Sequence, residues 1–99
     1  MLKGKTITLI NKIFPFDERE NIISMLNECG KHLPLIMDEN PLAERIIFAA
    51  IKVSDGDTEE FNSALELAKI DWRDLLVWAG FEHNVNEHNI WADTALHRN

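Results

Sequence analysis

The amino-acid sequence predicts an all-α protein, a compact orthogonal bundle of five to six short helices that forms a single domain over residues 1–99. Apolar residues recur at the three- and four-residue spacing of helices, and aspartate, proline and glycine residues mark several helix ends. No internal repeat, low-complexity run or long linker interrupts the chain. With 45% hydrophobic residues, a chain of 99 residues can bury one core.

Residues 70–81 form the best-delimited predicted helix, and we expect the other helices to be organised around it. Asp71 is suited to the N-cap position, where its carboxylate can accept hydrogen bonds from the free backbone N–H groups of the first turn. Ile70 and Leu75 stand on either side of this cap at the spacing of a hydrophobic staple. Because the residues that follow are apolar nearly all round, the sequence predicts a core element.

The C-terminal end of this helix is also marked. Gly80 is suited to a left-handed backbone after the last turn, and Phe81 can then fold back on Leu76, as in a Schellman motif. Trp72 and Trp78 are six residues apart and lie on different faces, so one of them is available as an exposed interface anchor. The bundle is expected to pack around four residues of this helix, which are Trp72, Leu75, Leu76 and Trp78.

The N-terminal part of the chain contains two predicted segments, of which the first is either a helix or a strand and the second is a helix. Residues 5–14 have helical apolar spacing, but the β-branched run 6–8 could instead begin a strand, so both interpretations stay open. Asp17 and Glu20 have the spacing of a capping box for a helix that runs to Gly30. Its inward stripe is predicted to be Ile22, Ile23, Leu26 and Cys29.

Two further helices are predicted in the middle of the chain. Asn40 followed by a proline is typical of a helix start, and this helix should stop near Ser54. Asp57 and Glu60 then form a second capping box. The helix that it begins should bury Phe61, Ala64, Leu65 and Ala68.

The balance of charges limits the class of partner. The formal net charge is −7 and the isoelectric point is about 4.9. Proteins that bind nucleic acids need lysine and arginine residues to replace phosphate counterions, so we expect no nucleic-acid partner. An anionic membrane surface is disfavoured for the same reason. A basic protein partner fits better, although acidity also favours solubility.

The cysteine content and the N-terminus favour a cytoplasmic protein. Cys29 is the only cysteine, so neither an intrachain disulfide nor a cysteine-based zinc site can form. The N-terminal run lacks the apolar core and cleavage site of a signal peptide, and no run reaches the length of a membrane span. We expect a reduced thiol and no cofactor.

Four carboxylates within six residues form the first candidate site, and they belong to Asp55, Asp57, Glu59 and Glu60. An EF-hand calcium loop requires glycine where Glu60 stands, so we expect no metal there. Negative charges also suit the N-terminal end of a helix, which explains their spacing without any ligand. Such an acidic tip can still dock on a basic protein.

The last predicted helix has a second candidate site at its start, where Asn84 or Asn86 could serve as the cap. His83, Glu87 and His88 lie nearby, and imidazole with carboxylate suits a divalent metal. Two histidines five residues apart, however, do not share a helix face as an i, i+4 pair would. We therefore expect no metal ligands, no catalytic residues and no enzymatic activity.

The C-terminal third of the chain resembles a known group of proteins. Residues 67–91 are similar to the closing segment of small acidic immunity proteins from bacterial contact-dependent inhibition and polymorphic-toxin systems. The pattern D-W-R-D-L-L-x-x-A-G-F carries most of the resemblance. The matching positions are Asp71, Trp72, Arg73, Asp74, Leu75, Leu76, Ala79, Gly80, Phe81, His88 and Trp91.

The resemblance implies a non-enzymatic inhibitor that binds one cognate secreted toxin, such as a nuclease, with its carboxylates in place of phosphates. The contact would involve the carboxylates at residues 55–60, or Asp38 and Glu39 on the connector before them, and the sequence does not choose between these patches. Two alternatives remain, namely a protein-interaction or adaptor module of unknown pathway and a metal-dependent enzyme using His83, Glu87 and His88.

Overall fold

The computed structural model describes residues 4–30, 41–84 and 86–97, which contain only helices, turns and connecting loops, so the predicted all-α fold is confirmed. None of the helices in these ranges combines the length and apolar character that a membrane span requires. The described ranges contain five α-helices, which are α1 (Gly4–Ile13), α2 (Arg19–Gly30), α3 (Pro41–Ser54), α4 (Thr58–Ala79) and α5 (Glu87–Leu96).

Strand and helix were both open for residues 5–14, and residues 5–13 of this segment belong to α1. Phe14 follows the end of the helix and packs edge-on against Phe61 of α4, with 5.4 Å between the ring centroids. This contact attaches the end of α1 to the start of α4. Within α1 itself, the buried side chains follow helical spacing, and they are Thr6, Leu9 and Ile10.

The start of α2 differs from the prediction. A 3₁₀ turn, Phe16–Glu18, follows Pro15, and its Glu18 N–H donates to the Pro15 carbonyl at 2.9 Å. Asp17 therefore lies inside the turn and not at the N-cap position, so the predicted capping box with Glu20 is wrong. The fixed φ of the proline directs the chain into the turn before the predicted cap. The predicted stripe is buried at Ile22 and Leu26 and half-buried at Ile23, while the side chain of Cys29 lies outside the described part.

The most enclosed helix is α3, which contacts α1, α4 and α5. Six consecutive residues, from Ile46 to Ile51, are buried, so this helix is covered on all sides over more than one turn. The prediction that the bundle is organised around residues 70–81 is therefore wrong. Capping signals show where a helix begins and ends, but they do not report how deeply it is buried.

Helix α4 bends at Asp71, where φ of −156° and ψ of 95° are extended instead of helical. The Asp71 carboxylate accepts a hydrogen bond from the Arg73 N–H at 3.0 Å, so the predicted N-cap is confirmed inside α4. The predicted hydrophobic staple is wrong, because Ile70 is 83% exposed while Leu75 is buried. Residues 72–79 thus form a second half of α4 with its own cap.

The end of α4 is the Schellman motif that the sequence predicts. The Phe81 N–H donates to the Leu76 carbonyl at 2.9 Å, and the Gly80 N–H donates to the carbonyl three residues before it at 3.1 Å. Gly80 has the left-handed φ of 79° that this ending requires. The Lys52 ammonium of α3 donates to the Ala79 carbonyl at 2.7 Å, which ties this end to the central helix.

The four predicted core residues of this helix are buried to different extents. Leu75 and Leu76 are buried, as predicted, and Trp72 is half-buried against the core. Trp78 is 50% exposed, so its assignment to the core is wrong. It is the more exposed of the two tryptophans considered as anchors.

Helix α5 joins the core through a cluster of aromatic rings. His88 lies 5.5 Å from Phe48 of α3 between ring centroids, and Trp91 lies 6.0 Å from Phe81. Of the two predicted caps, Asn86 occupies the N-cap position of this helix, but its side chain makes no capping hydrogen bond. The Oδ1 of Asn84 instead accepts from the backbone N–H of Asn86 at 2.8 Å. This cluster joins three elements of the bundle.

Candidate protein-binding surface

The acidic turn, defined here as Asp55, Asp57, Glu59 and Glu60, connects α3 to α4. Asp55 and Gly56 both have positive φ, of 48° and 83°, which reverses the chain between the two helices. The Asp57 carboxylate accepts from the Glu59 N–H at 2.8 Å and from the Glu60 N–H at 3.1 Å. Asp57 is thus the N-cap of α4, as predicted.

Only one of the two parts of the predicted capping box forms, namely the cap by the Asp57 side chain, and the reciprocal bond from Glu60 is replaced. The Asp57 N–H donates to the Ser54 carbonyl at 2.9 Å, so it has a backbone acceptor in the position where Glu60 would have supplied one. The carboxylates of Asp55, Glu59 and Glu60 are therefore not used for capping. All four side chains of the acidic turn are exposed, and none of them makes an ion pair with a basic side chain in the described ranges.

The backbone of the acidic turn is held against α1. A Cβ atom added at Gly56 would lie 2.8 Å from the Ile13 carbonyl oxygen, which is closer than real Cβ atoms approach a backbone. Only glycine fits this contact without movement, and the positive φ favours glycine for a second reason. The backbone of the turn therefore packs directly against the end of α1 at Gly56.

Negative charge extends from the acidic turn along α4. Residues 55–74 contain seven acidic and two basic residues, a net charge of −5 within a chain whose formal net charge is −7. One of the basic residues, Lys69, pairs with Glu66 at 3.2 Å. The other, Arg73, lies over the ring of Trp72, with 5.4 Å between its guanidinium carbon and the ring centroid. Most of the charge of the protein is thus on one helix and its leading turn.

An exposed apolar pair follows at the other end of α4. Val77 is 59% exposed and Trp78 is 50% exposed. Asp74 is also exposed and precedes Trp78 by four residues, which places the two side chains on the same side of the helix. We refer to Asp74, Val77 and Trp78 as the Trp78 face. Helical spacing identifies this segment as apolar, but only the packing of the opposite side against α3 shows which residues stay exposed.

A cleft of about 430 Å³ adjoins the acidic turn at Asp55 and separates parts of α1, α3 and α5. Two lysines line it, and each is engaged with the end of a helix. Lys12 donates to the Leu96 carbonyl at 3.0 Å, and Lys52 donates to the Ala79 carbonyl. Both lysines thus bind the carbonyl ends of helices, and among the described residues neither pairs with a carboxylate of the acidic turn.

The residues of the metal-enzyme alternative do not converge. His83 is exposed, and its Nε2 lies 3.0 Å from Oε1 of Glu82. His88 is buried, and its Nε2 lies 3.1 Å from Oε1 of Glu44 on α3. Across the described ranges, no three histidine, cysteine or acidic side chains are grouped closely enough to hold a metal ion. The second acidic patch, at Asp38 and Glu39, lies outside the described residues.

Comparison of the chain with models of protein families, with curated proteins and with solved structures gave no match. The resemblance of residues 67–91 to immunity proteins therefore stays a prediction.

Proposed function

We propose that this protein is an immunity protein, which binds one cognate toxin in the cytoplasm with 1:1 stoichiometry and blocks its activity. The observation that carries the proposal is the acidic turn, where four exposed carboxylates occupy six residues without an ion pair to any basic group of the described ranges. The resemblance in the C-terminal third is a second, independent support.

The chemistry of the partner follows from the charge of this surface. A toxin domain that cuts RNA or DNA must bind phosphates, so its cleft carries lysine and arginine residues. Carboxylates can accept hydrogen bonds from these side chains in place of phosphate oxygens. The negative field of α4 would also speed the encounter with a basic partner. Occupation of the cleft then excludes the nucleic acid.

The fixed backbone of the acidic turn supports tight binding. The Asp57 cap and the contact of Gly56 with Ile13 both restrict the backbone of the turn in the absence of a partner. Little backbone conformational entropy is then lost in a complex, so the cost of ordering falls mainly on the exposed side chains. Asp57 serves the helix, so Asp55, Glu59 and Glu60 are the residues proposed to contact the toxin.

An adaptor module with a basic partner would use the same surface, and the two functions differ in the consequence of binding. The test combines the purified protein with the toxin domain encoded by a neighbouring gene. Light scattering after size exclusion measures the stoichiometry, and cleavage of RNA and DNA measures the toxin activity. We expect a 1:1 complex and loss of activity at one molar equivalent. A complex that keeps full activity would favour the adaptor, and the absence of a complex would contradict both.

A further inference from the structure

The Trp78 face is an apolar surface that the packing of the bundle does not explain. The same half of α4 buries Leu75 and Leu76 against the core, yet Trp78 remains half exposed beside Val77. Tryptophan is among the residues most enriched at the energetic centres of protein interfaces, where its indole ring fills a desolvated pocket. An acidic side chain, Asp74, borders it on the same side of the helix.

The Trp78 face and the acidic turn are close neighbours, although they stand at opposite ends of α4. Lys52 donates to the carbonyl of Ala79, the residue after Trp78, and Asp55 follows Lys52 by one helical turn. The path from Asp55 to Trp78 thus runs over one helical turn to Lys52 and then along the Lys52 side chain to Ala79. Its length is on the order of 15 Å. A standard interface buries about 800 Å² on each partner and is about 30 Å across, so both surfaces fit within one footprint.

The charges around Trp78 determine which partner can cover it. Arg73, stacked on Trp72, is the one basic residue within residues 70–82. Asp71, Asp74 and Glu82 outnumber it, so the net charge of this segment is negative. A second copy of this chain would bring its own charge of −7 against the same sign, which opposes association. A cationic protein with an apolar pocket beside its basic cleft would complement both the negative charge of this chain and the apolar side chain of Trp78.

We propose that Trp78 is the hydrophobic anchor of this protein on its basic toxin partner. The indole ring enters an apolar pocket next to the cationic cleft, while the acidic turn occupies the cleft itself. This inference rests on the proposed function. It assigns the two surfaces different roles, because charged rim residues mainly set the rate of association, whereas a buried aromatic anchor mainly sets the rate of dissociation.

The test measures binding kinetics of Trp78→Ala to the toxin domain encoded by the neighbouring gene. We expect the complex to be roughly 30-fold weaker, through faster dissociation, as for a binding hot spot. Ile90→Ala is the matched control, because Ile90 is 62% exposed on α5, and it should change the affinity less than twofold. In a second measurement, complex formation should reduce acrylamide quenching of the wild-type tryptophans, and this reduction should be much smaller in Trp78→Phe.

Each outcome distinguishes the two proposals. If the wild-type complex forms and Trp78→Ala binds within twofold of it, the anchor is wrong and the proposed function stands. If the wild-type chain forms no complex, the proposed function and the anchor fail together. If the wild-type chain sediments as a dimer that Trp78→Ala dissociates, a second copy covers the face and the anchor is again wrong.

Discussion

His88 on α5 and Glu44 on α3 form a polar contact within the core, with 3.1 Å between His88 Nε2 and Glu44 Oε1. The His88 side chain is only 3% exposed, and its ring packs against Phe48 and Phe81. The contact therefore joins the last helix of the chain to its most enclosed one. At this depth, solvent cannot readily replace the partner of a polar group.

Loss of this contact should destabilise the fold. Glu44→Ala should reduce the free energy of unfolding by about 1–3 kcal/mol, because it removes a hydrogen-bond partner from a buried imidazole. The matched control is Glu82→Ala, which breaks the exposed contact with His83 and should cost less than about 0.5 kcal/mol. Urea unfolding followed by circular dichroism measures both. Equal effects of the two substitutions would show that the buried contact does not stabilise the bundle.

The second half of α4 should contribute to stability through one face only. Leu76→Ala should cost about 2–5 kcal/mol of unfolding free energy, because Leu76 is buried and its truncation leaves a cavity. Val77→Ala, at the adjacent exposed position, should change stability by less than about 0.5 kcal/mol. A cost below 1 kcal/mol for Leu76→Ala in urea melts would contradict the packing of this helix against α3.

Two glycines with similar positive φ values should respond differently to substitution. Gly80→Ala meets only the tip of the Lys52 side chain, so backbone strain alone should cost about 1–2 kcal/mol. Gly56→Ala adds the close approach to the Ile13 carbonyl and should cost about 2–4 kcal/mol. Thermal and urea unfolding of the two variants measure the difference. A Gly56→Ala variant as stable as Gly80→Ala would show that the acidic turn is not held rigidly against α1.

The charge of the acidic turn should control the rate at which the toxin binds. Glu59→Gln combined with Glu60→Gln should slow association several-fold at low ionic strength, and the difference from the wild-type chain should shrink in high salt. Asp57 is left intact in this experiment because it caps α4. Stopped-flow fluorescence at several salt concentrations gives the rates.

Removal of the same number of charges from another surface distinguishes an effect of the acidic turn from an effect of the net charge of the protein. Glu20→Gln combined with Glu28→Gln removes the same charge from exposed positions on α2, and its association rate should stay within twofold of the wild-type rate. If both double variants slow association equally, the net charge and not the acidic turn steers the partner. An association rate that does not depend on salt would instead indicate a hydrophobic interface.

Local helix signals could be predicted from the sequence because they depend on a few neighbouring residues. The Asp71 cap, the Schellman motif at Gly80 and the Asp57 cap all appear where the residue types favour them. The position of α3 at the centre could not be predicted in this way, since it depends on contacts between distant segments. Asp17 illustrates the limit, because the chain leaves Pro15 in a 3₁₀ turn that a local capping pattern does not reveal.

The candidate surface could also be predicted only where it depends on residues that are neighbours in the sequence. The acidic turn follows directly from four neighbouring carboxylates, and all four are exposed in the structure. The exposure of Val77 and Trp78 could not be derived from the apolar pattern, which placed Trp78 in the core. Leu76 is buried while Val77 and Trp78 are exposed, and this division depends on how α4 packs against the rest of the bundle.

The most direct test of the account is a growth assay in which the toxin domain of the neighbouring gene is expressed with and without this protein. We predict that the toxin domain alone stops growth, that co-expression of the wild-type chain restores it, and that the Glu59→Gln, Glu60→Gln variant restores it less well at matched expression. Growth arrest that persists in the presence of the soluble wild-type chain would contradict the proposal that this protein is an immunity protein.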